Sequence, residues 1–265
     1  MFSLTLFKRD IKSNYKLILI FLAILTLYSV SIVYMYDPKT TSAFEEMAKS
    51  IPEVMKAFGM ASVGTNLTEY IANYLYGFII LMFPIIFIII LGNKLVVSYV
   101  DRGSMAYLLA TPNKRVKIAL TQALFMWVAS AILLIYTTGL IIFFCNSLHG
   151  GELNVKTFIL INVVLYFIQI AVSSICFFAS CISNDTKLYF TIGAGMPILF
   201  YLLQALANVG DKLENLKYFT LFTLFNTGDI IAGESIAMPI GASLLIALVF
   251  YGAGIYIFSK RDLSL

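Results

Sequence analysis

The stretch "SYVDRGSMAYLLATPNKRVKI", Ser98–Ile118, places a short basic segment between two long apolar runs. It carries four Lys or Arg residues, a Gly-Ser pair and a proline, in a chain in which only 12% of the residues are charged. Soluble domains usually have about 25% charged residues. Together with a mean hydropathy of +0.92, this composition predicts a membrane protein, in which the basic segment is a loop outside the bilayer.

Six apolar segments flank this loop and follow it along the chain. A helix needs about 20 apolar residues to cross a bilayer, and its backbone polar groups must be satisfied within the helix. None of the six segments contains a charged residue, and Pro84 and Pro197 are expected to kink the second and the fifth. We therefore predict an all-α membrane protein with a single transmembrane domain over 1–265. The predicted spans are 17–36, 70–92, 119–145, 157–182, 188–208 and 235–258.

Basic residues concentrate on one side of the predicted membrane. The N-terminus, the loops 93–118 and 183–187 and the C-terminus hold 12 basic and four acidic residues, whereas the opposite side holds six basic and ten acidic residues. Lys and Arg are enriched in cytoplasmic loops. We therefore expect a multi-pass protein of the cell membrane with both termini in the cytoplasm and the segments 37–69 and 209–234 outside.

Motifs for catalysis and metal binding are missing from the sequence. The string nearest to a phosphate-binding loop, "GMASVGTN" at Gly59–Asn66, lacks the lysine that contacts phosphates. Cys145, Cys176 and Cys181 lie in apolar runs and His149 lies in a glycine-rich turn, so neither a disulfide framework nor a metal site is predicted. The spans also lack the charged residues that act as ion relays. We predict neither an enzyme nor a nucleic-acid-binding protein. If the chain pumps a cargo, it must take its energy from a cytoplasmic partner.

The loop 98–118 is too short to form a domain. Asp101 or Ser104 can cap a helix, and "MAYLLA" is a good helix-forming string. Pro112 disfavours helix at the preceding residue and favours a turn before the third span. Two interpretations stay open: a short helix on the cytoplasmic face that receives force from a partner, or a plain connector whose charges anchor it at the membrane.

The order of residues in this loop resembles that of the permease subunits of type-2 ABC exporters, which have six spans with both ends inside. Their loop between spans two and three often reads as an acidic residue, Arg or Lys, Gly, Thr or Ser, then Leu-Leu, a small residue, Pro and a basic residue. The resemblance implies a coupling helix around 103–110 that docks in a groove of an ATPase. We expect Tyr107, Leu108 and Leu109 to supply the apolar side that this groove buries. The matching residues here are Asp101, Arg102, Gly103, Ser104, Leu108, Leu109, Pro112 and Arg115.

Three further strings resemble the same family. "FKRDIKSNYK" is similar to an interfacial elbow helix, predicted over 1–16, and "IPEVMKAFG" and "FSKRDL" are similar to the family's outer motif and C-terminal ending. Gln122 departs from the pattern, since many members have Lys there. The resemblance implies two permeases with two cytoplasmic ATPase subunits, and ATP and Mg²⁺ held by those subunits and not by this chain. A homodimer is the simplest assembly, and a heterodimer is the alternative.

The segment 37–69 is long for a connector. Its apolar residues recur every three or four positions, which predicts an amphipathic helix or helical pair on the outer membrane surface. Phe44, Ile51 and Phe58 share the apolar face and either cover the span ends as a lid or contact cargo. The uncharged run 218–228 is too short to span a bilayer and predicts an interfacial or re-entrant hairpin.

The resemblance also implies that spans two and five line the export pathway. Uncharged walls rich in aromatic residues and Met suit apolar or amphipathic cargo. We expect export of an amphipathic or antimicrobial peptide; the alternatives are a hydrophobic drug or lipid, or a membrane subunit that senses or confers immunity without transport. The candidate pathway residues are Asn73, Tyr74, Met82, Phe83, Met196, Phe200 and Gln204.

Overall fold

The computed structural model describes residues 2–36, 50–60, 64, 66–110, 114–210 and 213–261. These residues form helices and no strand, and six helical stretches are long and apolar enough to cross a membrane. The prediction of an all-α membrane protein is therefore confirmed. The stretches are span 1, Leu4–Met35; span 2, Leu67–Asp101; span 3, Arg115–His149; span 4, Val155–Ile182; span 5, Thr186–Val209; and span 6, Ala237–Lys260.

Span 1 includes the residues that the sequence assigned to a separate elbow helix. The helix runs from Leu4 to Met35 without interruption, because no Pro or Gly lies between these residues to break the backbone hydrogen bonds. At 1.5 Å per residue its length is about 48 Å, whereas the hydrocarbon core of a bilayer is about 30 Å thick. The basic first turns can therefore extend beyond the apolar layer as part of the same helix.

Spans 2 and 5 are composite helices. Pro84 lies inside a continuous α-helical stretch of span 2. Pro197 lies in the α-helical stretch of span 5 that follows a π-helical turn. Span 2 consists of Leu67–Tyr76, Ile79–Gly92, the π-helical turn Asn93–Val97 and Ser98–Asp101. Span 5 consists of Thr186–Tyr189, the π-helical turn Phe190–Ala194 and Gly195–Val209.

Span 4 is the most buried span and the centre of the fold. It packs against span 6, span 2 and span 3. Polar side chains join it to its neighbours: the Tyr76 hydroxyl of span 2 donates to Asn162 Oδ1 at 2.9 Å, and the Ser173 and Tyr251 hydroxyls lie 2.7 Å apart between spans 4 and 6. Hydrogen bonds of this kind satisfy polar groups that would otherwise face hydrocarbon.

Short helices cover one end of the bundle, which we call the outer end, following the orientation predicted from the charges; the opposite end is the cytoplasmic end. The helix Pro52–Ala57 packs against span 5. The run predicted as a hairpin forms parts of two 3₁₀ helices and one α-helical turn, with Leu221 and Phe222 buried against the bundle. The bounds of these elements are Glu214–Phe219, Leu221–Leu224 and Thr227–Ile231.

Candidate functional site

The first candidate site is the cytoplasmic segment, residues 101–115. Span 2 ends at Asp101, the chain turns at Gly103, and a helix of five residues follows, Met105–Leu109. Gly103 has a φ of +67°, a backbone conformation that strains residues with a Cβ atom. Asp101 does not cap this helix: its Oδ2 accepts a hydrogen bond from the Thr186 hydroxyl at 2.8 Å, so the segment is tied to the start of span 5.

The short helix presents one aromatic side chain to solvent. Tyr107 is 82% exposed, whereas Met105 and Leu108 are 1% and 7% exposed and pack into the core. Tyr107 and Leu108 were predicted to lie on one docked side, but successive residues in a helix point about 100° apart, and of these two only Tyr107 is exposed. The side chain of Leu109, and Pro112 altogether, lie outside the described residues.

Arg115 connects three parts of the chain at the cytoplasmic end. Its guanidinium donates to the backbone carbonyl of Arg261. The Arg261 side chain in turn donates to the carbonyls of Cys181 and Ser183 at 2.8 and 3.1 Å, between spans 4 and 5. Arg115 therefore contacts the protein itself, whereas Arg102 is exposed.

The second candidate site is the outer cavity, a space of about 550 Å³ where the outer ends of spans 2 and 5 meet the short outer helices. Its floor is aromatic and apolar, and its rim is polar with charges of both signs. The floor includes Ala72, Tyr76, Leu81, Tyr201, Ala205, Phe222 and Phe225, and the rim includes Lys56, Gln204, Asn208, Glu214, Lys217, Thr223, Asn226 and Asp229.

Hydrogen bonds hold the rim of the outer cavity together. The Thr223 hydroxyl donates to Gln204 Oε1 at 2.8 Å, and Gln204 Nε2 donates to Asn208 Oδ1 at 3.1 Å. Lys217 forms an ion pair with Glu214, and its hydrogen bond lowers the pKa of the Glu214 carboxyl and raises the pKa of the Lys217 amine. Glu214 is exposed and Lys217 is partly exposed, so the pair adds little stability.

Comparison with known protein families matches residues 7–263 to the model of the ABC-2 family transporter protein. The chain belongs to this family. No curated protein and no solved structure matches it. As an ABC-2 permease, the chain is the membrane subunit of a transporter that associates with an ATPase subunit.

Of the seven pathway residues predicted for this ABC-2 permease, only Gln204 lines the outer cavity. Tyr74 is buried beside Tyr70, with ring centroids 4.8 Å apart, and Phe83 packs against Tyr28 of span 1 at 5.6 Å. The structure therefore distributes the predicted set over several faces of spans 2 and 5. Met82, Met196 and Phe200 are partly buried against the core, and Asn73 is also partly buried.

Most residues of the cavity floor were not predicted from the sequence. Tyr201, Gln204, Ala205 and Asn208 recur at positions that share one helix face, so the face could have been found by extending it from Gln204. The selection by residue type favoured aromatic residues and Met and overlooked alanines. No local sequence pattern indicated that Phe222 lines the cavity, because its position depends on how the outer segment folds back.

The structure describes two of the three predicted lid residues, Ile51 and Phe58, and their surroundings differ. Ile51 is 42% exposed and precedes the helix that begins at Pro52. Phe58 packs on Phe78 of span 2, with ring centroids 5.3 Å apart. Phe44 lies outside the described residues. Phe58 is therefore the one of the three that the structure joins to span 2, close to the cavity.

Proposed function

We propose that this chain is the permease half of an ATP-driven exporter that moves an amphipathic or hydrophobic cargo out of the cell. A peptide is the cargo that we favour. The observation that supports this proposal is the outer cavity, with its aromatic floor and polar rim between spans 2 and 5. An amphipathic molecule would place its apolar side on the floor and its polar groups at the rim. The cavity volume lies within the range of about 300–1,000 Å³ that ligand sites usually have.

The proposed assembly contains two permeases and two ATPase subunits, which bind ATP and Mg²⁺. The exposed Tyr107 on the cytoplasmic segment is the contact that we assign to the ATPase. The neighbouring Asp101–Thr186 hydrogen bond joins this contact to span 5. A homodimer is the simplest arrangement for a chain with six spans.

The proposed cargo class is tested with the permease and its ATPase subunit in lipid nanodiscs. We expect a synthetic cationic amphipathic peptide to stimulate ATP hydrolysis, and Ala205→Trp to abolish this stimulation by filling the cavity floor. Leu202→Trp is the matched control, because Leu202 lies on the same helix but is 53% exposed on its outward face. The control should retain stimulation, and the basal ATPase rate should be the same in both variants.

Other results would assign the cavity differently. Stimulation by a phospholipid or a hydrophobic dye, but by no peptide, would favour lipid or drug export through the same apolar floor. If peptides, lipids and dyes all leave the ATPase rate unchanged, the chain is a sensing or immunity subunit and the export proposal is wrong.

The orientation of the permease is tested separately by cysteine labelling in intact cells. Cys145, Cys176 and Cys181 are buried, so the background should be low. A membrane-impermeant maleimide should label Tyr218→Cys, whose parent side chain is 75% exposed at the outer end, and should not label Lys114→Cys until the cells are opened. The reverse pattern would invert the topology that the charges predict.

A further inference from the structure

Two π-helical turns pack against span 4 near the cytoplasmic end of the bundle. Asn93–Val97 belongs to span 2 and Phe190–Ala194 to span 5. A π-helical turn contains one residue more than an α-helical turn, and such turns occur frequently at functional sites. Because the extra residue disturbs the regular hydrogen bonding, some backbone groups need partners from other elements.

Ser180 of span 4 holds the turn in span 2. Its hydroxyl accepts a hydrogen bond from the Val97 N–H at 3.0 Å and donates to the Gly92 carbonyl at 2.9 Å. Gly92 and Val97 are five residues apart, which is the spacing of a π-helical hydrogen bond. The Ser180 side chain is therefore inserted into the hydrogen-bond ladder of span 2.

Cys176, one turn earlier in span 4, holds the turn in span 5. Pro197 has no N–H and cannot bond the carbonyl four residues before it, which is that of Gly193. The Cys176 thiol donates to this carbonyl at 3.1 Å. Cys176 is completely buried, so the carbonyl obtains its partner from span 4 and not from water.

Tyr189 immediately precedes the turn in span 5 and connects span 5 to span 2. Its side chain is completely buried, and its hydroxyl donates to the Ile89 carbonyl of span 2 at 2.6 Å. A Cβ atom added to Gly92 would lie 2.5 Å from this hydroxyl, and one added to Gly193 would lie 2.8 Å from the ring. The absence of side chains at both glycines therefore lets the ring fit between spans 2 and 5.

The cytoplasmic segment contacts span 5 one turn away from Tyr189. Thr186 donates to Asp101, and Tyr189 lies three residues after Thr186 on the same short helix. Asp101 is therefore linked by one hydrogen bond to the short helix that carries the Tyr189 ring. Span 4 packs against several other spans and is the most buried, so we expect spans 2 and 5 to move relative to it.

We infer that the two π-helical turns form a paired hinge, positioned by Ser180, Cys176 and Tyr189, through which movement of the cytoplasmic segment reaches the outer ends of spans 2 and 5. Hinges are short stretches that absorb backbone change between rigid elements. The inference uses the proposed function in one respect, because the outer cavity between these spans is the site that the hinge would open and close.

Spin-label distances in the purified permease in nanodiscs test the hinge without cargo or ATPase. We place labels at Asn208→Cys, at the outer end of span 5, and Leu148→Cys, at the outer end of span 3. Tyr189→Phe and Ser180→Ala each remove hydrogen bonds of the hinge, and one such bond is worth about a fivefold change in the ratio of two conformers. Each variant should shift or broaden the distance distribution, whereas Tyr256→Phe, at a side chain 63% exposed on span 6, should leave it unchanged.

A pair of variants tests whether the Tyr189 ring positions span 2. Gly92→Ala should reduce the yield of folded permease, because the new methyl group collides with the Tyr189 hydroxyl. In the Tyr189→Phe background the collision is removed and the next contacts are at 3.4 Å, so Gly92→Ala should regain most of its yield. Equal loss in both backgrounds would show that Tyr189 does not position Gly92.

Movement of a spin label on addition of ATP distinguishes a hinge from a cluster that only stabilises the fold. With the ATPase subunit bound, ATP and vanadate should move the Asn208 label in the parent protein and leave it in place in Tyr189→Phe. If Tyr189→Phe and Ser180→Ala keep both the resting distances and the ATP-driven movement, the hinge is wrong. That outcome would leave the peptide-stimulation experiment untouched, so the two proposals fail independently.

Discussion

Replacing Tyr107 with Ala should weaken binding of the ATPase subunit at least about 30-fold while leaving the permease folded and inserted. Tyr107 is 82% exposed on the cytoplasmic segment, so its removal takes nothing from the core. Buried tyrosines at protein interfaces often contribute about 2 kcal/mol or more when truncated, which corresponds to this change in Kd. The affinity of the purified ATPase for permease in nanodiscs measures it, and ATP-driven transport should fall with it.

Two further variants show that the effect belongs to docking. Arg102→Gln changes an exposed residue of the same segment and should leave the affinity within about twofold, as expected for a rim charge at physiological salt. Leu108→Asp should instead lower the yield of folded permease, because Leu108 is 7% exposed and would place a charge in the core.

Full ATPase affinity in Tyr107→Ala would contradict the assignment. The cytoplasmic segment would then be only a connector, and the ATPase would have to bind elsewhere. The N-terminal residues 2–16 are the next candidate, since they carry exposed Lys8 and Lys12 at the same end of the bundle.

The sequence predicted the fold class well, because bilayer thickness and the cost of unsatisfied backbone groups leave few solutions for six apolar runs. It could not orient the short helix Met105–Leu109. A helix of five residues has too few turns for hydrophobic periodicity to distinguish a buried face from a docking face. Tyr107 and Leu108 are both apolar enough for either environment, and only packing against the core separates them.

The π-helical turns also lay beyond prediction from sequence. Pro84 and Pro197 lie in the two spans that contain these turns, but the irregular hydrogen bonds involve Ser180 and Cys176, which lie on another span. Partners that are far apart in sequence leave no local signal. The same is true of the outer cavity, whose floor combines spans 2 and 5 with the segment after span 5.

The position of Asp10 also differs from what the sequence predicted. Asp10 was counted as a cytoplasmic surface charge, because the first span was expected to begin at residue 17. In the structure it is 1% exposed and faces Gln122 of span 3, which is completely buried. The Asp10 carboxylate and the Gln122 amide do not reach hydrogen-bond geometry with any described residue. The adjacent Arg9 bonds the Tyr99 hydroxyl at 3.1 Å.

Asp10→Asn should therefore stabilise the purified permease. A carboxylate removed from water without a hydrogen-bonded partner is costly, and the Asn side chain has nearly the same shape without the charge. Thermal unfolding followed by the fluorescence of Trp127 should show a higher Tm for Asp10→Asn. Lys12→Gln, on the exposed side of the same helix, should leave the Tm unchanged.

Changes at Gln122 should depend on what occupies position 10. Gln122→Lys places a cation opposite the carboxylate and should also raise the Tm, whereas Gln122→Leu removes the amide that faces the carboxylate, which costs stability and should lower the Tm. In an Asp10→Leu background this cost should disappear, because no polar group remains to be left unpaired. Residues in direct contact are expected to show such non-additive effects. If Gln122→Leu costs the same in both backgrounds, the two side chains do not interact, and the burial of Asp10 is compensated by another part of span 1.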